Sequence, residues 1–315
     1  MSLNSVNTNI SAQVALQSLN ATNSNLQATQ KRISTGYRVA DATDDGAAFA
    51  VAQKVRADTG ALTTVNQQLG SAKGLVGTAI TGLTSISNTL IAAKSLLVKI
   101  GDSSISSDQR DQYVTSFASL VTQVANTVDG STYNGKSLLG KSVDATTYAA
   151  TGGKSGVDVS VISNETGSQS TIKGEDNSSL AASLAGLIGG TATTSTAGVT
   201  TFVFTSATGT ASASAQTAAA AALSSTNATT SISGLQGSVA TSLNQAGADS
   251  NFLDATITFN SSKIDSLNAG LGALIDADLS KESANLQALQ IRQQLGTQAL
   301  SLANQSPQSL LSLFK

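Results

Sequence analysis

The chain has 315 residues, of which 3% are aromatic and 11% charged, with a formal net charge of −2 and no His, Cys or Trp. Soluble domains usually carry about 25% charge. The absent residue types also remove the commonest general base, thiol nucleophiles, disulfides and thiolate metal sites. An enzyme is disfavoured, as is a nucleic-acid binder, which needs a basic face; no catalytic residue, cofactor or metal is assigned.

The start, Met1 to Ile10, has neither a basic n-region nor an apolar h-region, so no ordinary signal peptide is expected and export would use another route. No stretch approaches the ~20 apolar residues of a membrane span. Leu19, Leu26 and Ile33 lie seven apart with Ala12 and Leu16 nearby, predicting a first amphipathic helix. Asn23 and Gln30 follow Leu16 at the same spacing; they either fix a register or face water. Asp41, Asp44 and Asp45 come next. Thr43 or Asp44 is read as a helix N-cap with acidic residues at the positive helix end, in preference to a hard-cation site.

The long helix that follows carries the clearest signal. Steps of three and four from Leu62 give Val65, Leu69, Ala72, Val76, Ala79, Leu83, Ile86, Leu90, Ala93, Leu97 and Ile100, all apolar. Chance gives such a register only ~2 times in 100,000 at this composition. Run backwards, the register passes Asp58, Val55, Val51 and Ala48. Ala48 to Ile100 would span ~80 Å as one helix, a coiled-coil rod. Gly60, Gly70, Gly74, Gly77 and Gly82 interrupt it, each costing ~1 kcal/mol relative to Ala, so partners must hold it.

Beyond a break at residues 101–108, Val114, Phe117, Val121, Val124 and Val128 predict a second helix. Tyr133, Asn134, Gly135 and Lys136 then predict a type I′ hairpin. The centre differs in kind: residues 177–248 contain no charged residue, and 20 of residues 191–231 are Ser or Thr. Strands are expected at 157–162 and 199–204 and a short helix at 215–223. A small, mostly β lobe is the reading adopted, with low-complexity disorder as the competing one. Its hydroxyls are either acceptors for O-linked sugars or simple surface fillers. Gly152, Gly153, Lys154 and Ser155 lack the earlier glycine of a phosphate loop, since Tyr148 stands there, and read as a plain loop.

Towards the end, Leu253, Ile257, Ile264, Leu267, Leu271 and Leu274 share one register, interrupted by Asn260. Ala284, Ala288, Ile291, Leu295, Ala299 and Leu302 share another. The C-terminal half thus mirrors the N-terminal half, and the expected architecture is mainly α. It is a long coiled-coil rod from both chain ends, with a hairpin and a small central domain.

Two segments carry a family resemblance. Lys31-Arg32-Ile33-Ser34-Thr35-Gly36-Tyr37-Arg38-Val39-Ala40-Asp41-Ala42-Thr43-Asp44-Asp45 resembles an N-terminal stretch of bacterial flagellins. Its matching positions are Arg32, Gly36, Arg38, Asp44 and Asp45. Residues 303–315, with Asn304, Gln305, Pro307, Gln308, Leu310 and Leu313, resemble the flagellin tail. The resemblance covers roughly residues 1–140 and 235–315 and implies a structural subunit that polymerises into the extracellular flagellar filament for motility. It would be exported through the flagellar type III channel.

By that resemblance residues 1–40 and 281–315 form a D0-like core, 41–140 and 235–280 a D1-like layer, and 141–234 a variable outer domain. Expected partners are further copies in a helical homopolymer, sister flagellins, and the export chaperone, cap and junction proteins. The predicted interface residues are Leu16, Leu19, Leu26, Ile33, Ala288, Ile291, Leu295, Leu302, Leu310 and Leu313. A hook–filament junction protein and a surface carbohydrate-binding homologue are the alternatives. The tail favours the filament subunit, and Tyr148, Phe202 and Phe204 are few platforms for sugars. In many flagellins an innate immune receptor reads a patch here occupied by residues 90–99, where Ala92 and Ser95 replace Arg and Glu; weak or absent recognition is expected.

Overall fold

A computed structural model describes residues 9–140, 156–175, 177, 179–194, 200–203, 210–227 and 230–312. In chain order the elements are α1 (Ile10–Thr35), α2 (Gly46–Gly101), α3 (Ser107–Gly130), β1 (Val159–Ile162), β2 (Gln169–Ile172), α4 (Leu180–Gly186), β3 (Thr191–Thr194), β4 (Thr200–Val203), α5 (Thr210–Ser224), α6 (Ile232–Ile275) and α7 (Leu279–Ser312). The chain forms two compact units, Met1–Gly60 with Lys263–Lys315, and Ala61–Ser262. In the first, α1 packs on α7. In the second, α2 packs on α6, with Lys73 Nζ 2.6 Å from Asp254 Oδ1 and Asn66 bonded to Ser261.

The second unit is built on the α2 stripe. All twelve residues of the register from Leu62 to Ile100 are buried. By length and composition α2 is apolar enough to cross a membrane, but its apolar stripe from Leu62 to Ile100 is buried against the rest of the unit, as in a core helix. Phe117, Val121, Val124 and Val128 of α3 close over the same core, with Val114 partly buried beside them. A capping box between Ser106 and Gln109 starts α3. Arg110, buried, donates from Nε to the Ile100 carbonyl at 3.0 Å and from Nη2 to the Asp102 carbonyl at 2.7 Å. One cation thereby satisfies carbonyls left open where α2 ends and favours that negative helix end.

The register does not continue backwards as expected. In the first unit Val51 is 52% exposed and Asp58 half-buried, and the inward line runs through Ala48, Ala52, Val55 and Thr59. A straight helix drifts by ~20° per heptad, so the second apolar line moves from the third to the fourth residue after each repeat. Small Ala48 and Ala52 sit against Val39 and Ile275.

Asn134 and Gly135 take φ of 50° and 75°, and Tyr133 and Lys136 exchange both backbone bonds, at 2.8 and 3.0 Å. This is the expected I′ turn, but the hairpin is no longer than its turn: a single bridge. In the centre, β1 and β2 pair antiparallel (Val159 opposite Ile172), as do β3 and β4 (Thr191 opposite Val203). The strands form two separate hairpins, accompanied by α4 and by α5, whose Ala215, Ala219 and Ala222 are buried. The expected strands and helix are present as β1, β4 and α5; β2, β3 and α4 were not anticipated. Tyr148, the Gly152–Ser155 loop and Phe204 lie outside the described residues, as does the side chain of Phe202. Asn260, which breaks the α6 register, is buried, and its amide donates to the Ser163 carbonyl at 3.0 Å, tying the β1–β2 turn to α6.

Two of the α2 glycines have close neighbours. A Cβ at Gly74 would lie 2.9 Å from the Tyr133 ring, and one at Gly82 would overlap buried Ser131 and crowd Leu139. Gly77 is exposed with nothing within 4 Å of a Cβ. Gly77→Ala is therefore expected to raise the unfolding midpoint, by up to ~1 kcal/mol. Gly82→Ala, despite the same propensity gain, should lower stability by about 1–3 kcal/mol through overpacking. Urea unfolding followed by circular dichroism distinguishes the two.

Candidate assembly surface

In the first unit, the segment after α1 is bound to the end of α6 and start of α7. Gly36 ends α1 with φ 74°, a conformation open to a residue without Cβ, and its N–H donates to the Arg32 carbonyl at 2.9 Å. The Gly36 carbonyl accepts from Ala277 N at 2.9 Å, Arg38 N donates to the Ile275 carbonyl at 2.6 Å, and Tyr37 and Asp276 form an antiparallel bridge. Arg38 Nη2 reaches the Leu274 carbonyl at 2.5 Å. Arg32 Nη1 lies 3.4 Å from Oε1 of the largely buried Glu282. Arg32, Gly36 and Arg38 thus form one clamp across the two chain halves.

The acidic residues complete it in different roles. Asp45, rather than Thr43 or Asp44, caps α2: its Oδ1 accepts from Ala47 N at 3.1 Å and Ala48 N at 3.0 Å. Asp44 is turned the other way, accepting at Oδ2 from Ala40 N and from Lys31 Nζ, both at 3.0 Å. Lys31 Nζ also lies 2.6 Å from Asp41 Oδ2, and Asp41 holds the Thr43 hydroxyl and N–H. The hydrogen bonds from Lys31 are the main cause holding both carboxyls below the usual carboxylate range, and those to Asp41 and Asp44 raise the Lys31 ammonium pKa.

The inner seam of α1 and α7 has its own heptads. On α1, Ala12, Ala15, Leu19, Thr22, Leu26, Thr29 and Ile33 are wholly or partly buried; on α7, Glu282, Leu286, Leu289, Gln293, Gly296, Leu300 and Ala303 are. Leu19 fills the space over Gly296, where a Cβ would come within 3.2 Å of its Cδ1. Gln293 Nε2 donates to Asn23 Oδ1 at 2.8 Å, so Asn23 is a cross-helix partner, whereas Gln30 is exposed. At the far end, Asn9 caps α1 by accepting from Ala12 N at 3.1 Å, and its Nδ2 donates to the Ala303 carbonyl at 2.7 Å. Ala303 is four residues before Pro307, which has no N–H to give it. The Asn9 amide fills the vacancy that the proline creates.

The residues expected at an interface divide between two faces. Leu19, Leu26 and Ile33 lie on this inner seam. Leu16 is 47% exposed, and Ile291, Leu295 and Leu302 are 57%, 58% and 70% exposed, with Ala288 exposed beside them. Ile10 and Val14, not singled out from the sequence, are exposed too. Asn304 and Gln305 are exposed. Leu310, Pro307 and Gln308 belong to α7, their side chains outside the described set, and Leu313 lies outside the described residues. α7 therefore has one face used within the chain and a second apolar face that the described residues leave bare, whereas the exposed apolar residues of α1 lie on two sides of that helix, Ile10 and Val14 about 120–160° from Leu16.

Residues 6–144 match the bacterial flagellin N-terminal helical region and residues 226–314 the bacterial flagellin C-terminal helical region. The chain is 36% identical to flagellin FljK of Caulobacter vibrioides over the whole of both chains. It is 33% identical to a flagellin of Brucella melitensis over 99% of each, and 32% identical to flagellin C of Rhizobium meliloti over 99% of this chain and 100% of that one.

Two tests follow from the clamp and seam. Asn9→Ser keeps the cap acceptor but not the amide reach, and should loosen the last turns of α7, read as faster amide hydrogen exchange. In a Pro307→Ala background, where the helix supplies its own donor, the same substitution should have a smaller effect. The Lys31 contacts carry a pH signature. Depressed carboxyl pKa values give stability present above about pH 4 and lost as pH falls through the folded values; a raised ammonium gives stability present below about pH 10 and lost above. The melting difference between the wild type and Lys31→Met should be flat between these limits, shrink in acid, and diminish with salt.

Proposed function

The chain belongs to the bacterial flagellin family, a structural subunit of the extracellular flagellar filament and not an enzyme, and from that premise we propose which surfaces join one copy to the next. The exposed apolar residues of α1, Ile10 and Val14 on one side and Leu16 on another, and the outer face of α7, with Ala288, Ile291, Leu295 and Leu302, meet neighbouring copies. Leu310 and Leu313 extend the α7 contact. The bare second apolar face supports this reading. Covering a Leu or Ile side chain is worth about 1.5–3 kcal/mol, so a row of them drives association once the inner seam has fixed their orientation.

Because the α1 and α7 faces differ, they join head to tail, and a contact that does not close on itself yields a helical polymer. Residues 1–40 and 281–315 would form the innermost layer, 41–140 with 235–280 the next, and 141–234 the outward one. Leu19, Leu26 and Ile33 serve the assembly indirectly, by setting how α1 lies on α7. Sister flagellins are the partners most compatible with the same contacts; the export chaperone, cap and junction proteins would meet the same terminal helices.

Leu295→Asp and Leu302→Asp should leave helix content unchanged while abolishing sedimentable filaments, because each puts an unpaired charge into the contact. Leu289→Asp, on the inner seam, should instead cost helix content. Deleting residues 1–40 or 285–315 should leave a soluble monomer. Normal filaments from Leu295→Asp in electron micrographs would refute the assignment of that face.

A further inference from the structure

We propose that Asn134–Gly135 is a self-modification site, at which the chain converts its own asparagine to aspartate and isoaspartate and so records the age of the subunit. Of all the asparagines in the sequence, only Asn134 is followed by Gly. It is exposed, at the first central position of the I′ turn, with φ 50°. Among the described residues neither its side-chain amide nor the Gly135 N–H has a hydrogen-bond partner. Both reacting groups are unengaged, and no Cβ on residue 135 shields the nitrogen.

The turn is also easy to open. Among the described residues its backbone is closed by the Tyr133–Lys136 pair, with no strand ladder on either side. Local openings of so short a unit cost far less than global unfolding, and rotation about the Asn134 Cα–Cβ and Cα–C bonds then brings its Cγ to the Gly135 nitrogen, with no side chain on residue 135 in the way. The deprotonated Gly135 nitrogen attacks Cγ of Asn134. A C–N bond forms, the bond to the amide nitrogen breaks, and ammonia leaves carrying the proton, giving a five-membered imide. Water then adds to either imide carbonyl and breaks one C–N bond. One product is an ordinary aspartate; the other is isoaspartate, whose main chain runs through the side-chain carbons. No oxidant or cofactor enters.

The second product has a structural effect. It inserts an extra backbone atom into a two-residue loop, which separates Tyr133 from Lys136. The Tyr133 ring lies over Gly74, close enough that a Cβ there would be 2.9 Å away. Losing the turn frees that ring from α2 and places a new carboxylate beside Lys136. An extracellular subunit lies beyond intracellular repair, so the product accumulates; this consequence rests on the filament reading, whereas the chemistry does not.

The test is peptide mass spectrometry of the purified full-length chain after incubation in mildly alkaline buffer. Trypsin, cutting after Arg110 and Lys136, releases one fragment that also holds Asn126, inside α3 and followed by Thr127. The expected result is a shift of one mass unit localised to Asn134, with isoaspartate detected by enzymatic methylation, slower in mildly acidic buffer and lost in Gly135→Ala. Isomerisation at Asp129, before Gly130, would add no mass and is thereby told apart. An unshifted fragment, or equal conversion at Asn126, overturns the proposal whether or not the chain polymerises.

Discussion

α7 carries two apolar faces, and among the described residues only one of them has a partner within the chain. α1 and α7 meet along the seam that runs through Leu19, Leu26, Leu286, Leu289 and Leu300, and this leaves Leu16, Ile291, Leu295 and Leu302 in water. The α1–α7 pairing cannot remove that exposure, because the two faces of α7 lie on different sides of the same helix. The hydrophobic contribution is non-directional, so direction has to come from the features that orient the pair, and those are polar.

The clamp between the chain halves provides that orientation. Its residues act on backbone more than on each other: Gly36 and Arg38 bind the main chain at Leu274, Ile275 and Ala277, and Asp45 binds the start of α2. Main-chain targets are fixed in position, so such contacts define register better than pairs of long flexible side chains. Arg32 with Glu282 adds one ion pair, and partly exposed pairs contribute little to stability. Position is the larger gain. Asn9 repeats the principle at the other end of the seam, against the carbonyl that Pro307 leaves without its helical donor.

Where the sequence was legible, a repeated pattern was present. The α2 stripe could be read because twelve positions agree on one period and each agreement is independent. The backward extension to Val51 and Asp58 failed because a seven-residue period was imposed on a helix that drifts, and apolar Val51 concealed the shift to Ala52. The outer face of α7 was found and its inner face missed for one reason: Glu282, Gln293 and Gly296 make the inner seam look polar, although Gly296 is there to admit Leu19. β2, with Ile172 its only apolar residue, offers no alternation to detect. The Asn9–Ala303 bond joins residues 294 apart, and no local pattern encodes it. The first clamp motif was recognisable by resemblance, but the division of labour between Asp44 and Asp45 required coordinates.

The polar character of the inner seam also bears on how assembly proceeds. Thr22, Thr29, Asn23, Gln293 and Gly296 occupy positions where leucines would make a stronger pair. Polar seam residues lower stability and fix register, so the isolated pair is weaker and better defined than a fully apolar one. Such a pair gains most when its outer faces are also covered, since helices derive stability chiefly from tertiary packing. Ordering of the ends and contact with a neighbour then reinforce one another. A fully apolar seam would make the ends rigid before assembly but would allow slipped registers, each presenting the Leu295 face at a different angle. The half-buried Asn23–Gln293 amide pair favours one register at the expense of stability in the free pair.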